Sequence, residues 1–294
     1  MVKMYKCSNI FVMVGSGNKK NEMSIWDDKK IGDSKVIYKY KFKKDVLNLK
    51  LTEDSIVVIL DNTIYLFNIK DFQLIDIIKT GKNPKGLAGI THNERKVIVY
   101  PSTSDSPGKL TIKNYKTKNY MYLDPTQKTE LDYFSMSYDG LFLATLGKGS
   151  DTIRIFNAYT GTSLYELTIP DKLYNLPEKF ISISRDNDAI IFSANKGEID
   201  IFSLTTAKEE AKKEKLSETE FNLNINKEFS NDHCKKLFFK NIEKPSIRII
   251  NKFECKYTKI DKYFLYAVTL DNKFIKYKLD FKNKKYSEEK IISF

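Results

Sequence analysis

Polar and apolar residues alternate in short runs along this chain, and the runs recur. "MSIWDD" at 23–28, "TIYLFN" at 63–68, "TIRIFN" at 152–157, "EIDIFS" at 198–203 and "KFIKYK" at 273–278 each read as a strand of period two closing on an aromatic. The aromatics are Trp26, Phe67, Phe156, Phe202 and Tyr277. Trp26 and Phe67 stand 41 residues apart, Phe156 and Phe202 46. "GKLTIKNYKT" at 108–117 is a weaker copy in the wide gap between Phe67 and Phe156. Denser apolar runs precede the copies: "DSIVVILD" (54–61), "RKVIVYP" (95–101), "GLFLATLG" (140–147) and "NDAIIFSANKG" (187–197). Turn formers bracket them, among them Asp139-Gly140 and Lys196-Gly197. Four-stranded blades repeat with such a period, so the pattern predicts an all-β fold, a WD40-like β-propeller with six readable blades. A blade cannot bury its two faces alone, so the strand-end aromatics are predicted to pack between blades.

Residues 204–232 break the period. Their first part favours helix and is densely charged; their second is polar around Phe221, Leu223, Ile225 and Phe229. Two readings stand: a surface insertion, or a loop that orders on a membrane or partner with those side chains as anchors. The whole chain, 1–294, is read as a single propeller domain carrying this insertion.

Composition narrows the function. Hydrophobic residues make up 41% of the chain, which places it among globular proteins. No apolar run is long enough to span a bilayer, and the apolar patch near the N-terminus is too short for a signal-peptide core, so a cytoplasmic location is expected. Cys7, Cys234 and Cys255 are too scattered for a disulfide framework or a zinc site, and His92 and His233 have no cluster around them. The net charge of +12 comes almost wholly from lysine, since only Arg95, Arg154, Arg185 and Arg248 are arginines. Lysine is a point charge, whereas arginine grips phosphate at two points. The surface is therefore diffusely cationic, suited to long-range attraction to an anionic membrane or nucleic acid. No basic cluster supports nucleic-acid recognition, and the aromatics sit at strand positions. "VGSGNKK" (14–20) is a lone Gly-Ser-Gly that precedes no helix, and no hydrolase or metalloenzyme motif occurs. No enzymatic activity, cofactor or metal is expected.

Several phrases together resemble the PROPPIN family, the phosphoinositide-binding β-propellers of autophagy and endosomes. "NIFVMVGSG" with "SIWDD" is similar to that family's second blade, and "DSIVVILDNTIYLFN" to its third. "NPKGLAGI" (83–90) follows, then "LATLGKGSDTIRIFNAYTGTSLYEL" resembles the fifth blade and "SANKGEIDIF" the sixth, with "DNKFIKYKLD" in the last. The resemblance implies seven blades, so the family's first blade is expected to be missing or reduced here. It also implies two lipid pockets built on an aromatic or leucine, two arginines and a glycine. Here that place reads Leu167, Thr168, Ile169, Pro170, and Thr and Ile cannot supply paired charge-assisted donors to a phosphate. Glu198 and Asp200 stand where the family carries Thr and His, and two carboxylates repel phosphate. Gln127 replaces a histidine, with Thr129 close by, while Arg154 survives. Lys148, Lys172 and Lys196 are the candidate residual contacts of a reduced or altered site; the alternative is an ordinary turn at Thr168–Asp171.

The resemblance thus implies a non-enzymatic, monomeric adaptor in autophagy. It is expected to sit peripherally on phagophore or endosomal membranes carrying phosphatidylinositol 3-phosphate or 3,5-bisphosphate, and to bind a lipid-transfer partner. Its partner surface falls near 15–34 and 61–85, where Asp27, Asp28, Asn83, Pro84 and Lys85 are candidates; the two aspartates read equally as turn formers. The alternative is a protein-interaction propeller that has lost phosphoinositide recognition.

Overall fold

A computed structural model describes the chain except residues 7, 93–95, 105–106, 127–128, 170–178, 185–186, 188, 195–198, 204–236, 239–247, 250–262, 269–272, 281–284 and 294. The insertion at 204–232 lies outside the described residues. The rest forms six four-stranded antiparallel sheets, each a meander in chain order. Three lie in the unit Met1–Asp124. They are β1 (Val2–Met4) to β4 (Val36–Lys41) through β2 (Ile10–Val14) and β3 (Glu22–Asp27); β5 (Asn48–Leu51) to β8 (Leu74–Lys79) through β6 (Ser55–Ile59) and β7 (Thr63–Asn68); and β9 (Gly89–Ile90) to β12 (Tyr120–Leu123) through β10 (Val97–Pro101) and β11 (Leu110–Asn114). Three lie in the unit Pro125–Phe294. They are β13 (Leu131–Met136) to β16 (Ser163–Thr168) through β14 (Phe142–Gly147) and β15 (Thr152–Asn157); β17 (Lys179–Ile183) to β20 (Leu237–Phe238) through β18 (Ala189–Ala194) and β19 (Ile199–Ser203); and β21 (Arg248–Ile249) to β24 (Lys285–Ser293) through β22 (Tyr263–Val268) and β23 (Lys273–Asp280).

Period-two alternation feeds two cores from one strand. Every residue of β6 is buried. Ile56 and Val58 pack with Val12, Met23 and Ile25 of the first sheet, while Val57 and Ile59 pack with Ile98 and Tyr100 of the third. A strand covered on both faces must be apolar throughout, which is why "SIVVI" lacks alternation. In the second unit, Ile153 and Ile155 of the fourth sheet pack with Ile181, Ile190 and Phe192 of the fifth.

The repeated aromatic marks a register shift. The third and fourth strands slip between Ile25 and Trp26, Leu66 and Phe67, Ile155 and Phe156, and Lys276 and Tyr277. The extra residue, Ile37, Ile75, Leu164 or Glu289, lies on the fourth strand, as in a β-bulge. Leu66 and Phe67 are buried in succession because they face opposite cores, Leu66 with Ile98 and Tyr100 and Phe67 with Val12 and Ile25. β11, in the weak copy, pairs with β12 without a slip. Trp26 departs from the expectation of an inter-blade core: it is only half-buried, with Lys35 Nζ 5.4 Å from its ring centroid. A cation–π contact with Lys35 covers part of it instead.

A second repeat concerns hydroxyls. Ser8, Thr52, Thr91, Ser137 and Ser184 each follow the first strand of a sheet, and each hydroxyl oxygen accepts the N–H of a residue that opens the second, at 2.9–3.2 Å. The bond gives the N–H that opens each second strand an acceptor.

Lys50 on β5 is half-buried. Burial pushes its amine down to about 8 from 10.5, and the charge of Lys3 adds to this. The folded chain therefore binds fewer protons there than the unfolded chain between pH 8 and 10.5, so this group's penalty is full below pH 8 and fades as pH rises. Lys50→Met is expected to raise stability at pH 7 by about 1–2 kcal/mol, with the gain fading toward pH 10, as read by urea unfolding at both pH values.

Candidate functional site

β15 and β16 carry the residues at which the resemblance places lipid pockets. On both strands alternate positions enter the core, namely Ile153, Ile155 and Leu167, while Arg154, Glu166 and Thr168 take the other face. Ile169 follows β16 and is fully buried in the core with Ile153, Leu167 and Ile181. Of the two positions at which the resemblance places arginines, Ile169 is thus a core position and Thr168 is exposed. Arg154 stands opposite Glu166, donates from Nε to Glu166 Oε1 at 2.7 Å and reaches the Pro125 carbonyl at 3.4 Å. Lys148 donates to Glu130 Oε2 at 2.7 Å, and that carboxylate holds its ammonium above the ordinary range. Thr129 and Thr126 exchange hydroxyl-to-carbonyl bonds of 3.0 and 2.6 Å, closing the loop before β13. Asp200 lies on β19 between Phe192 and Phe238. Gln127, Lys172, Lys196 and Glu198 lie outside the described residues.

The local charge is therefore balanced: each described cation of this group already holds a carboxylate. An incoming phosphate would have to displace Glu166 from Arg154 and would meet that carboxylate at close range. Such exposed pairs contribute little to stability, but they set what the surface presents.

The early-blade candidates divide differently. Asp27 accepts hydrogen bonds from Asn9 Nδ2 and from the Lys29 N–H, so it closes the turn after β3. Asp28 is exposed and pairs with Lys35 at 3.2 Å; the hydrogen bond from Lys35 and its charge hold the carboxyl below its usual range. Pro84 and Lys85 are exposed. Asn83 is corrected from surface contact to internal brace, for it is 2% exposed. Its Nδ2 donates to the Leu87 carbonyl and its Oδ1 accepts the Leu87 N–H, both at 2.8 Å. Gly86 completes the turn at φ +60, and a Cβ there would meet Leu47 Cβ at 2.9 Å. The phrase "NPKGL" is thus a folding device. Asn83→Ala is expected to cost about 2–3 kcal/mol in urea unfolding by orphaning two buried backbone groups, while Lys85→Ala stays within about 0.5 kcal/mol.

Among the described residues, no group of three or more potential metal ligands occurs, and no helix is long and apolar enough to cross a membrane. The paired strands and the loop between them match a known family: the PROPPIN family model covers residues 1–222. The chain belongs to the PROPPIN family. It is 28% identical over 212 residues to autophagy-related protein 18e of Arabidopsis thaliana, covering 69% of this chain and 54% of that protein. It is 26% identical over 199 residues to WD repeat domain phosphoinositide-interacting protein 1 of Xenopus laevis, covering 67% and 45%. The chain spans about half the length of the curated relatives it matches. Among solved structures it is similar to KlAtg21 in complex with the coiled coil of AgAtg16, with TM-score 0.73, 16% identity and coverage of 100% and 84%. It is also similar to the β-propeller domain of Myceliophteria thermophila Cps50 (Swd1), with TM-score 0.64, 12% identity and coverage of 99% and 85%. These likenesses show the fold, a β-propeller, with six four-stranded sheets in this PROPPIN chain.

The sequence reading missed the carboxylate partners. Glu166 and Glu130 give no motif, because they matter only through strand register. The turn hydroxyls were legible in principle, as Ser or Thr recurring at 8, 52, 91, 137 and 184.

Proposed function

We propose that this chain is a non-enzymatic PROPPIN-type adaptor of autophagy, working through protein partners, with headgroup recognition reduced. The observation that carries this is the internal pairing of Arg154 with Glu166 and Lys148 with Glu130, beside a core-bound Ile169. The autophagy role rests on family membership and on the names of the relatives. The partner classes proposed are a lipid-transfer protein, as the resemblance implies, and a coiled coil of the kind seated on KlAtg21. Peripheral association with phagophore or endosomal membranes then comes from the +12 net charge, at about 1 kcal/mol per lysine close to an anionic surface. Attraction of that kind is salt-sensitive and blind to headgroup identity.

Liposome co-sedimentation tests this. Vesicles carrying phosphatidylinositol 3-phosphate, the 3,5-bisphosphate or charge-matched phosphatidylserine are expected to bind alike, with binding falling as salt rises and unchanged by Arg154→Ala. Selective binding to the 3-phosphate that Arg154→Ala weakens would overturn the reading and restore a working pocket.

A further inference from the structure

The outer strands β8 and β12 expose large apolar side chains: Leu74, Ile75 and Ile77 on one, Tyr120 and Tyr122 on the other. Strand edges carrying such residues invite pairing unless something blunts them. On β8 the Asp76 carboxylate does this, taking the Ile77 N–H at 2.8 Å. β12 is the edge of the third sheet, and its tyrosines are 53% and 69% exposed.

We propose that the edge of β12 docks an extended acidic segment of a protein partner. Charge selects the partner. The one carboxylate facing this strand's sheet from β8, Asp76, is consumed internally by Lys113 Nζ at 2.7 Å and by the Tyr115 hydroxyl at 2.9 Å. Burial pushes the Asp76 carboxyl up, but those bonds and the charge of Lys113 outweigh it and keep it ionised. The turn leading into β12 presents Lys116 and Lys118, both exposed and without a carboxylate partner among the described residues, and Lys113 Nζ lies 5.5 Å from the Tyr120 ring centroid. The turn that presents them is braced, because Asn114 Oδ1 accepts the N–H groups of Lys116 and Thr117 at 2.9 and 3.1 Å and Asn114 N–H reaches the Asn119 carbonyl. A preformed edge, two amphipathic rings and two adjacent cations match a strand that alternates acidic and apolar residues. Main-chain pairing would supply affinity, and the tyrosines and lysines its selectivity.

The proposal is independent of headgroup binding, and its test uses a labelled peptide of alternating Glu and Leu with an alternating Lys and Leu twin. Fluorescence anisotropy is expected to show binding of the acidic peptide only. Tyr120→Ser with Tyr122→Ser, and separately Lys116→Glu with Lys118→Glu, are each expected to weaken it about tenfold. Lys39→Glu with Lys43→Glu makes the same charge change at exposed positions on and just after β4, outside the partner surface implied by the resemblance, and is expected to weaken it by no more than about twofold. Thermal unfolding of each variant checks folding, and the two β12 variants fail or stand separately because both pairs are exposed. Failure of the acidic peptide to bind overturns the proposal. So does equal weakening by the control, which would mean diffuse charge. Loss of phosphatidylserine vesicle binding in the tyrosine variant with peptide binding intact would make the strand a membrane face and overturns it as well.

Discussion

Writing both family arginines back into the chain, as Thr168→Arg with Ile169→Arg, is expected to unfold the protein rather than rebuild a headgroup site. Ile169 is fully buried among Ile153, Leu167 and Ile181, and its N–H is bound to the Asp151 carbonyl. An arginine there must either bury a guanidinium with no carboxylate in that apolar cluster or push the chain out of its path after β16. Either route costs about 4 kcal/mol or more, a large share of the stability of an ordinary domain. Thr168→Arg alone is exposed and is expected to change stability by no more than about 0.5 kcal/mol, and Ile169→Val costs about 1 kcal/mol. Urea unfolding of the three variants reads the order. A double-arginine variant that folds cooperatively and binds phosphatidylinositol 3-phosphate selectively would show that position 169 can still face a pocket.

Breaking the pair between Lys179 and Asp132 is expected to be as damaging. Lys179 opens β17 and Asp132 lies on β13, the first strands of adjacent sheets in the second unit. Their side chains are 4% and 10% exposed, and Nζ lies 2.7 Å from Oδ2. Tyr133 and Phe180, one residue on from each, meet edge-on at 5.7 Å, so the clasp has a charged and an aromatic half. Removing either charge breaks a buried ion pair, at about 3–5 kcal/mol. Asp132→Leu and Lys179→Met are each expected to lose that much, while the double variant loses less than either alone, because no ion is then stranded. A thermodynamic cycle by urea unfolding measures it, and strictly additive losses would show that the two charges do not stabilise each other.

Much of the fold was legible because strands that feed two cores must alternate or turn wholly apolar, and six copies of one pattern leave few architectures. Family membership was legible for the same reason: "SIWDD", "NPKGL" and "TIRIFN" are bound to the turns and strand ends that make a blade. The candidate site was legible only as an absence. That Thr168 and Ile169 stand where the resemblance places two arginines could be read, but not that one of them is core and the other surface. The docking role read into Asn83 failed because an asparagine in a loop looks alike whether it meets a partner or its own backbone.

What the amino-acid order determined by itself was therefore the set of strands, the blade repeat, the family and the excess of lysine. Tertiary structure alone decided which charges meet. Arg154 faces Glu166 because the strands slip by one residue at Ile155 and Phe156; without that slip Arg154 would stand opposite Tyr165. A single extra residue on the fourth strand thus decides that Arg154 meets a carboxylate. Period two specifies which residues share a face, but register and neighbouring sheets determine what that face meets.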